Sequence, residues 1–446
     1  MTSRPTRTRA RLRSAAALGL LTAALPANLA ITGATLLVGA LRRSHPPPTD
    51  RAGTVATRTV LLSGGKMTKA LQLARAFHAD GHRVVLVESA RYRWSGHRFS
   101  RAVDAFHLVP EPTDPGYAAA LLDVVRRESV DVYVPVCSPV ASHHDAVAAQ
   151  LLAPHCEVLH VDAERIDRLD DKDRFAAAAA ELGLGVPRTH RITDPQQVLD
   201  FDFPDDGTRW ILKSIPYDPV RRLDLTPLPR PTRQQTRAFV EQLPISADRP
   251  WILQELIDGE EFCTHGTVRD GHLQVWACCR SSPFQVNYEM VHDPAIEAWV
   301  RRFVGALQLT GQVSFDLMRT PAGELRAIEC NPRTHSAITM FHDHPDLARA
   351  YLEDGVDTIT PLPASRPTYW LYHELWRALS QPWTARQRLR TVWHGKDALF
   401  DRDDPLPFLL VPHLQIASLL LDDLRAGRPW VRIDFNIGKL VAPAGD

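Results

Sequence analysis

The period of apolar positions changes several times along the chain, and each change predicts an element. TRTVLLS (57–63) is a short β-rich run. Met67, Ala70, Leu71, Ala74 and Phe77 then recur at the spacing of one helix face, which Gly81 closes. RVVLVES (83–89) predicts a strand, 116–128 a helix, DVYVPV (131–136) a strand, about 140–152 a helix, and EVLHVD (157–162) a strand. Strands alternating with helices predict a parallel, Rossmann-like sheet over 55–163.

After residue 163 the pattern differs. Residues 164–182 predict one helix containing DDKDRFAAAAAELG. PRTHRI, a helix near 194–201, RWILKSI (209–215), a helix at 232–243 and WILQELI (251–257) make a small α+β unit. A hairpin turning at Asp270-Gly271, a helix at 294–307 and a last hairpin, VSFDLM–RTPAGE–LRAIECN, follow. The fold class is therefore α/β followed by α+β, divided as 55–163, 164–355 and a helical extension 356–446. Stretches of that extension such as LVPHLQIASLLLDDLRAG (410–427) read as packing.

Length and charge narrow the function. A chain of 446 residues implies two or three domains. Lys+Arg and Asp+Glu both number 52, which argues against a broad nucleic-acid surface. The six cysteines show no C-x-x-C pair and read as free thiols of a reducing compartment.

LLSGGKMTKALQLARAF (61–77) invites a P-loop reading, but Val60 stands where the first glycine belongs and Met67 where Ser or Thr belongs. The G-x-G-x-x-G pattern is absent too. Substrate contact at Ser63–Lys66 and a plain tight turn both remain open.

The last hairpin carries more chemistry. A two-residue turn at Ala322-Gly323 would set Asp316 opposite Glu329, with Asn331 on the same face. Two carboxylates and an amide oxygen so placed suit Mg²⁺ that also binds phosphate; a slip of one residue would destroy the arrangement. Upstream lie Lys172 and Lys213, the latter either a solvent-facing alternate or a phosphate ligand. ILQELIDGEEF (252–262) is patterned like a hinge between domains, with backbone groups able to read an adenine edge.

In this order, these features resemble the ATP-grasp superfamily over about residues 164–345. The resemblance implies that Lys172 and Lys213 hold ATP phosphates, with Lys213 acting in catalysis. Gln254, Glu255 and Ile257 would contact adenine and Glu261 the ribose. Asp316, Glu329 and Asn331 would hold Mg²⁺ or Mn²⁺, and 186–257 would be the lid. One departure stands out: SIPYDPVRRLDL (214–225) lacks the usual glycine-rich loop. Arg221 and Arg222 are candidate phosphate clamps in its place.

LLSGGKMTKALQLARAFHADGHRV, SGHRFS (95–100), VDVYVPVCSPVAS (130–142), YDPVRRL (217–223), EFCTH (261–265) and ECNPRTHSAITMF (329–341) closely resemble mycosporine-glycine synthases. Those ATP-grasp ligases join glycine to 4-deoxygadusol in making UV-absorbing mycosporines. The implied partners are these two small molecules, and no nucleic acid. Arg333 is then a candidate partner for the glycine carboxylate, with Ser138, His335 and Ser336 near the substrates. Two other readings share the pattern: a carboxylate–amine ligase working through an acyl phosphate, and a membrane-attached nucleotide sensor without turnover.

The N-terminus adds a location. Five arginines in residues 4–13 precede a charge-free run, 15–41, and Arg42 and Arg43 follow it. About 20 apolar residues suffice to span a bilayer, but Pro26 and Asn28 split the run. A single span with this charge pattern would put the body outside, away from ATP, and no good cleavage site precedes Leu41. We expect a shallow hairpin or interfacial anchor, the body in the cytoplasm, and a linker at 44–57.

Overall fold

A computed structural model describes residues 7–43, 56–136, 138–216, 218, 221, 224–281 and 287–442, with backbone alone at 42 and 43. The first element, α1 (Arg7–Arg43), is one helix of 37 residues with Pro26 inside it, not a hairpin. A proline removes a single helix hydrogen-bond donor. Asn28, the other expected break, is instead an anchor: its amide donates to the Tyr372 hydroxyl and the Phe408 carbonyl, both at 3.1 Å.

The first domain contains β1 (Thr59–Leu62), α2 (Thr68–Ala79), β2 (Arg83–Ser89), β3 (Ala105–Val109), α3 (Tyr117–Glu128), β4 (Val132–Val134), α4 (Ala141–Leu152) and β5 (Glu157–Val158). All strands are parallel, in the order β3-β2-β1-β4-β5. Val60, Leu62, Val84 and Leu86 join the core around α2. Leu61, Val85 and Val87 join the core of α3 and α4 on the other face. Burial on both faces explains why these strands read as continuous apolar runs. β3, at the sheet edge, is mostly half-buried, so its sequence lacks that mark.

Two helices, α5 (Ala163–Leu169) and α6 (Lys172–Glu181), replace the single helix expected over 164–182. The Asp171 carboxylate accepts from the N–H groups of Asp173 and Arg174 at 3.0 and 3.2 Å, capping a new helix. The break puts Lys172 in the first turn of α6.

Next come β6 (Thr189–Ile192), α7 (Pro195–Leu199), β7 (Trp210–Ser214), α8 (Arg233–Val240) and β8 (Trp251–Glu255), with an antiparallel sheet in the order β6-β8-β7. Trp210, Leu212, Trp251 and Leu253 pack on Val198 and Val240 of the unit's own helices. By alternation, Ile211, Lys213, Ile252 and Gln254 share the opposite face.

A larger antiparallel sheet runs β10-β9-β12-β13, from β9 (Glu260–Arg269), β10 (His272–Arg280), β12 (Gly311–Arg319) and β13 (Leu325–Asn331). Between them lie β11 (Asn287–Tyr288) and α9 (Pro294–Ala306). The β9–β10 turn is at Asp270-Gly271, with φ of +46° and +77°. Phe262, Val313, Phe315, Leu317 and Ala327 turn one face of the sheet toward Trp299 and Phe303 of α9 and Phe175 of α6. Ring centroids in this cluster lie 5.3 to 6.4 Å apart.

After α10 (Leu347–Leu352), the extension holds β14 (Thr368–Tyr369), α11 (Leu371–Ser380), α12 (Ala385–His394), β15 (Lys396–Asp397), α13 (Leu406–Leu410), α14 (Ala417–Ala426), β16 (Arg432–Asp434) and β17 (Lys439–Val441). A π-helical turn, Val411–Ile416, joins α13 to α14 and presses on the SGHRFS segment. A Cβ on Gly96 would lie 2.5 Å from the Val411 nitrogen. The Gly96 N–H donates to Gln415 Oε1 at 2.8 Å, and Gln415 Nε2 donates to the carbonyls of Lys66 and Gly438 at 3.2 and 2.8 Å. The extension is thus built onto the first domain, and α1 lies along α13 and α14.

Candidate active site

The β12–β13 hairpin sets Asp316 opposite Glu329, but not through a two-residue turn. Its loop is 320–324: the Gly323 N–H donates to the Thr320 carbonyl at 2.8 Å, and the Thr320 N–H to the Glu324 carbonyl at 2.9 Å. The turn therefore centres on Pro321-Ala322, with Gly323 left-handed at φ +85°. This displaces the pairing by one residue from Arg319–Leu325 to Leu317–Ala327. A bulge at Ile328 takes the displacement back, and Asp316–Glu329, Phe315–Cys330 and Ser314–Asn331 pair directly.

With Phe315 committed to the aromatic core, Asp316, Glu329 and Asn331 fall on the opposite face of the sheet. Glu261 of β9, two residues from the Cys263 that faces Asp316, shares it. Lys172 Nζ lies 3.5 Å from Glu329 Oε1. Lys213 reaches the same group from the smaller sheet. Burial lowers its ammonium from the ordinary value, Lys172 acts the same way, and Glu329, Glu261 and Asp316 pull against both.

The two opposed carboxylates differ. Burial, reinforced by Glu329 and Glu261, pushes Asp316 up to about 8. Burial works on Glu329 too, but the charges of Lys172, Lys213 and Arg333 outweigh it and hold Glu329 below the usual range. Near neutrality the pair keeps one proton, on Asp316. Glu329 retains 31 % of its side-chain exposure, so the pair is not sealed from solvent.

Among the described residues no three His, Cys, Asp or Glu side chains converge as a metal cage. Two carboxylates and an amide suit a hard cation whose other ligands are phosphate oxygens and water. Asn331 has its Nδ2 toward Asp316 at 3.4 Å and its Oδ1 bonded by Arg333. Ligation by Asn331 requires that amide to turn over, which releases Arg333. The Arg333 guanidinium also holds Asp170 at 3.3 Å, so here it ties the end of β13 to the start of α6.

The other expected residues divide. Gln254 lies on the Lys213 face and donates to Thr189 Oγ1 at 3.3 Å. The Glu255 side chain turns the other way and accepts from the Arg188 backbone N–H at 3.1 Å and Nε at 3.4 Å, and its backbone N–H donates to the Arg188 carbonyl at 2.9 Å, which leaves the carbonyl for an adenine edge. Ile257 sits in the connection between β8 and β9. Arg221 pairs with Asp218 at 3.2 Å, and Arg222 lies outside the described residues. His335 Nδ1 accepts from the Ala337 N–H at 3.3 Å, and Ser336 Oγ accepts from Asn436 at 2.9 Å; both bonds shape the loop after β13.

The opening stretch of the first domain is not a phosphate loop. The Lys66 N–H donates to Glu88 at 2.9 Å and the Thr68 N–H to the Asn436 carbonyl at 2.8 Å, so protein acceptors take the donors a phosphate would use. Gly64, at φ +68°, permits a close approach: a Cβ there would meet the Val136 carbonyl oxygen at 2.2 Å. A cavity of about 400 Å³ opens beside it, at the carboxyl ends of β1 and β4 where the strand order reverses. Ser63, Lys66, Arg91, Ser138 and Lys439 line it. Lys66 pairs with Glu88 at 3.4 Å, and burial pushes Lys439 down to about 8, with Lys66 adding to the shift. Lys439 arrives from β17 near the chain's end, and no local pattern marks it. Lys69 Nζ bonds the Thr334 carbonyl at 2.6 Å and Ser142 the Pro332 carbonyl at 3.1 Å, tying the loop after β13 to this domain.

No family model and no curated sequence matches the chain. Solved structures do. N5-carboxyaminoimidazole ribonucleotide synthetase, as its ADP complex, superimposes at 14% identity and TM-score 0.53 over 74% of this chain and 85% of its own. Biotin carboxylase from Campylobacter jejuni, as a β-γ-ATP complex, gives 13% and 0.54 over 67% of this chain and 72% of its own. N5-carboxyaminoimidazole synthetase from Staphylococcus aureus, complexed with ADP, gives 15% and 0.52 over 70% and 80%. The chain has the ATP-grasp fold.

Proposed function

We propose that this protein is an ADP-forming ligase that activates 4-deoxygadusol with ATP and condenses it with glycine to mycosporine-glycine. The observation that carries the ligase reading is the convergence of Lys172, Lys213, Glu261, Asp316 and Glu329 on one patch between two sheets. The substrate reading rests on the sequence resemblance, together with a pocket at the switch point that can hold a small ring.

In this reading the nucleotide base lies against Ile211, Ile252 and Gln254, and the Glu255 and Ile257 backbone meets its edge. Lys172 and Lys213 neutralise the transferring γ-phosphoryl group. Asp316, Glu329 and Asn331 would hold Mg²⁺, which when bound neutralises the β- and γ-phosphates. Hydroxide leaves an enolic carbon badly. Phosphoryl transfer to that oxygen makes a phosphate ester, the glycine amine adds to the carbon, and phosphate departs with the oxygen. Arg333, freed from Asn331 when that amide turns, would leave Asp170 to pair with the glycine carboxylate. Arg222 would clamp phosphate oxygens. Lys66, Arg91 and Lys439 hold the ring oxygens of the acceptor. ATP as substrate and free thiols at five buried cysteines fit a cytoplasmic body.

The test is the full chain with Mg-ATP, 4-deoxygadusol and glycine. The expected product has the summed mass of both substrates minus water, forms only with ATP and glycine, and appears with equimolar ADP. ADP formation with other carboxylate and amine pairs, and none with these, would assign the acyl-phosphate reading. No ADP from folded protein with any pair would assign the sensor.

A further inference from the structure

Two elements of this protein are turned inside out relative to a water-exposed helix. α1 points its polar side chains inward: Ser14 accepts from Trp430 Nε1 at 2.9 Å, Asn28 reaches Phe408, and Thr32 bonds Asn28 at 3.3 Å. Its outer side carries exposed Leu20, Leu37 and Leu41. The α11–α12 pair repeats the inversion. Glu374 is buried against Arg388 at 3.5 Å, while Trp376, Trp383 and Trp393 face outward, the last two 80 % and 83 % exposed. The bond from Asn28 to the Tyr372 hydroxyl of α11 joins the two elements.

We propose that α1 and the α11–α12 hairpin form one face that docks flat on a bilayer containing anionic phospholipid. Exposed tryptophans beside arginines are side chains that lie at the boundary of headgroups and acyl chains. The charge favours this occupant. Neither α1 nor α12 contains an acidic residue, and Arg7, Arg9, Arg11, Arg386 and Arg390 are exposed. Such a face is attracted to anionic headgroups. A second copy of the chain would set arginines against arginines. α1 lies on the surface and does not span: from Arg11, bonded to the Arg425 carbonyl at 3.3 Å, to Asn28 it is fastened along the extension.

The experiment is flotation of the full chain, made by cell-free synthesis with vesicles of phosphatidylcholine alone or mixed with phosphatidylglycerol. Flotation with the mixed vesicles, weakened by salt, is expected. Arg386→Gln with Arg390→Gln should lower partitioning about fivefold per arginine, and Trp383→Ser with Trp393→Ser about tenfold or more. Both variants should keep the wild-type melting temperature, since these side chains are exposed. Protein that stays at the bottom with both vesicle types, or self-associates through this face whether or not vesicles are present, overturns the proposal. Undiminished flotation of the tryptophan variant overturns the part played by the hairpin.

Discussion

Asp316→Asn separates the metal reading from a structural one. Without metal, Asp316 holds its proton up to about pH 8. Asparagine has the shape and charge of that protonated acid and can still accept from Asn331, 3.4 Å away. The metal-free variant should therefore melt with the wild type near pH 7. The pH dependence follows from the sign. The unfolded carboxyl loses its proton near 4 and the folded one near 8, so the folded state binds the extra proton between them and wild-type stability falls as pH rises through that window. Above it the whole effect is present, and the variant should lack this slope. Ligand binding should show the opposite contrast. A hundredfold excess of Mg-ATP over Kd stabilises by about 2.7 kcal/mol, which raises the melting temperature of a domain of some 200 residues by roughly 5–10 °C. Loss of a charged ligand costs about 1.5–3 kcal/mol and removes most of that rise. Thermal melts with and without Mg-ATP, from pH 5 to 9, provide the assay. An undiminished Mg-ATP shift in the variant, or a metal-free variant several degrees less stable at pH 7, would refute the reasoning.

Two further outcomes can be checked. Lys439→Met should raise the acceptor KM by about ten- to a hundredfold, as expected for loss of a charged hydrogen bond, and leave the KM for ATP unchanged. In the wild type, kcat/KM for the acceptor should fall as pH rises through about 8, where Lys439 loses its proton. Phe315→Ala removes a fully buried ring packed 5.3 Å from Phe303 and 5.4 Å from Trp299, and urea unfolding should show a loss of about 3–5 kcal/mol.

The carboxylate face was legible in the sequence, because side chains alternate along a strand and a hairpin register that pairs Asp316 with Glu329 also puts Asn331 on their side. The register was legible only at the site itself. A longer loop and the bulge at Ile328 are opposite departures from a simple hairpin, and they cancel at Asp316. Elements whose polar groups find distant partners were misread. Asn28 looked like a helix break because its acceptor on Phe408 lies 380 residues away. Asp171 was read as helix interior because nothing local distinguishes a capping aspartate from a surface one. Glu255 lies in the expected strand, but Arg188 decides which way its side chain is used.

The role of the C-terminal segment follows from the same accounting of backbone donors. The GGK turn has the shape of an anion site, but Glu88 takes the Lys66 N–H and Asn436 the first N–H of α2, and Gln415 and Gly438 close over Lys66. Positive charge for the switch-point cavity must therefore come from side chains, and one of the three lining it, Lys439, belongs to β17. Asn436 also reaches Ser336, in the loop that Lys69 and Ser142 tie to the first domain. The extension, the cavity and the end of the carboxylate hairpin thus share one set of hydrogen bonds. A change that frees the 436–439 segment should disturb acceptor binding before nucleotide binding, because Lys172, Lys213 and the paired carboxylates are held by α6 and the two antiparallel sheets alone.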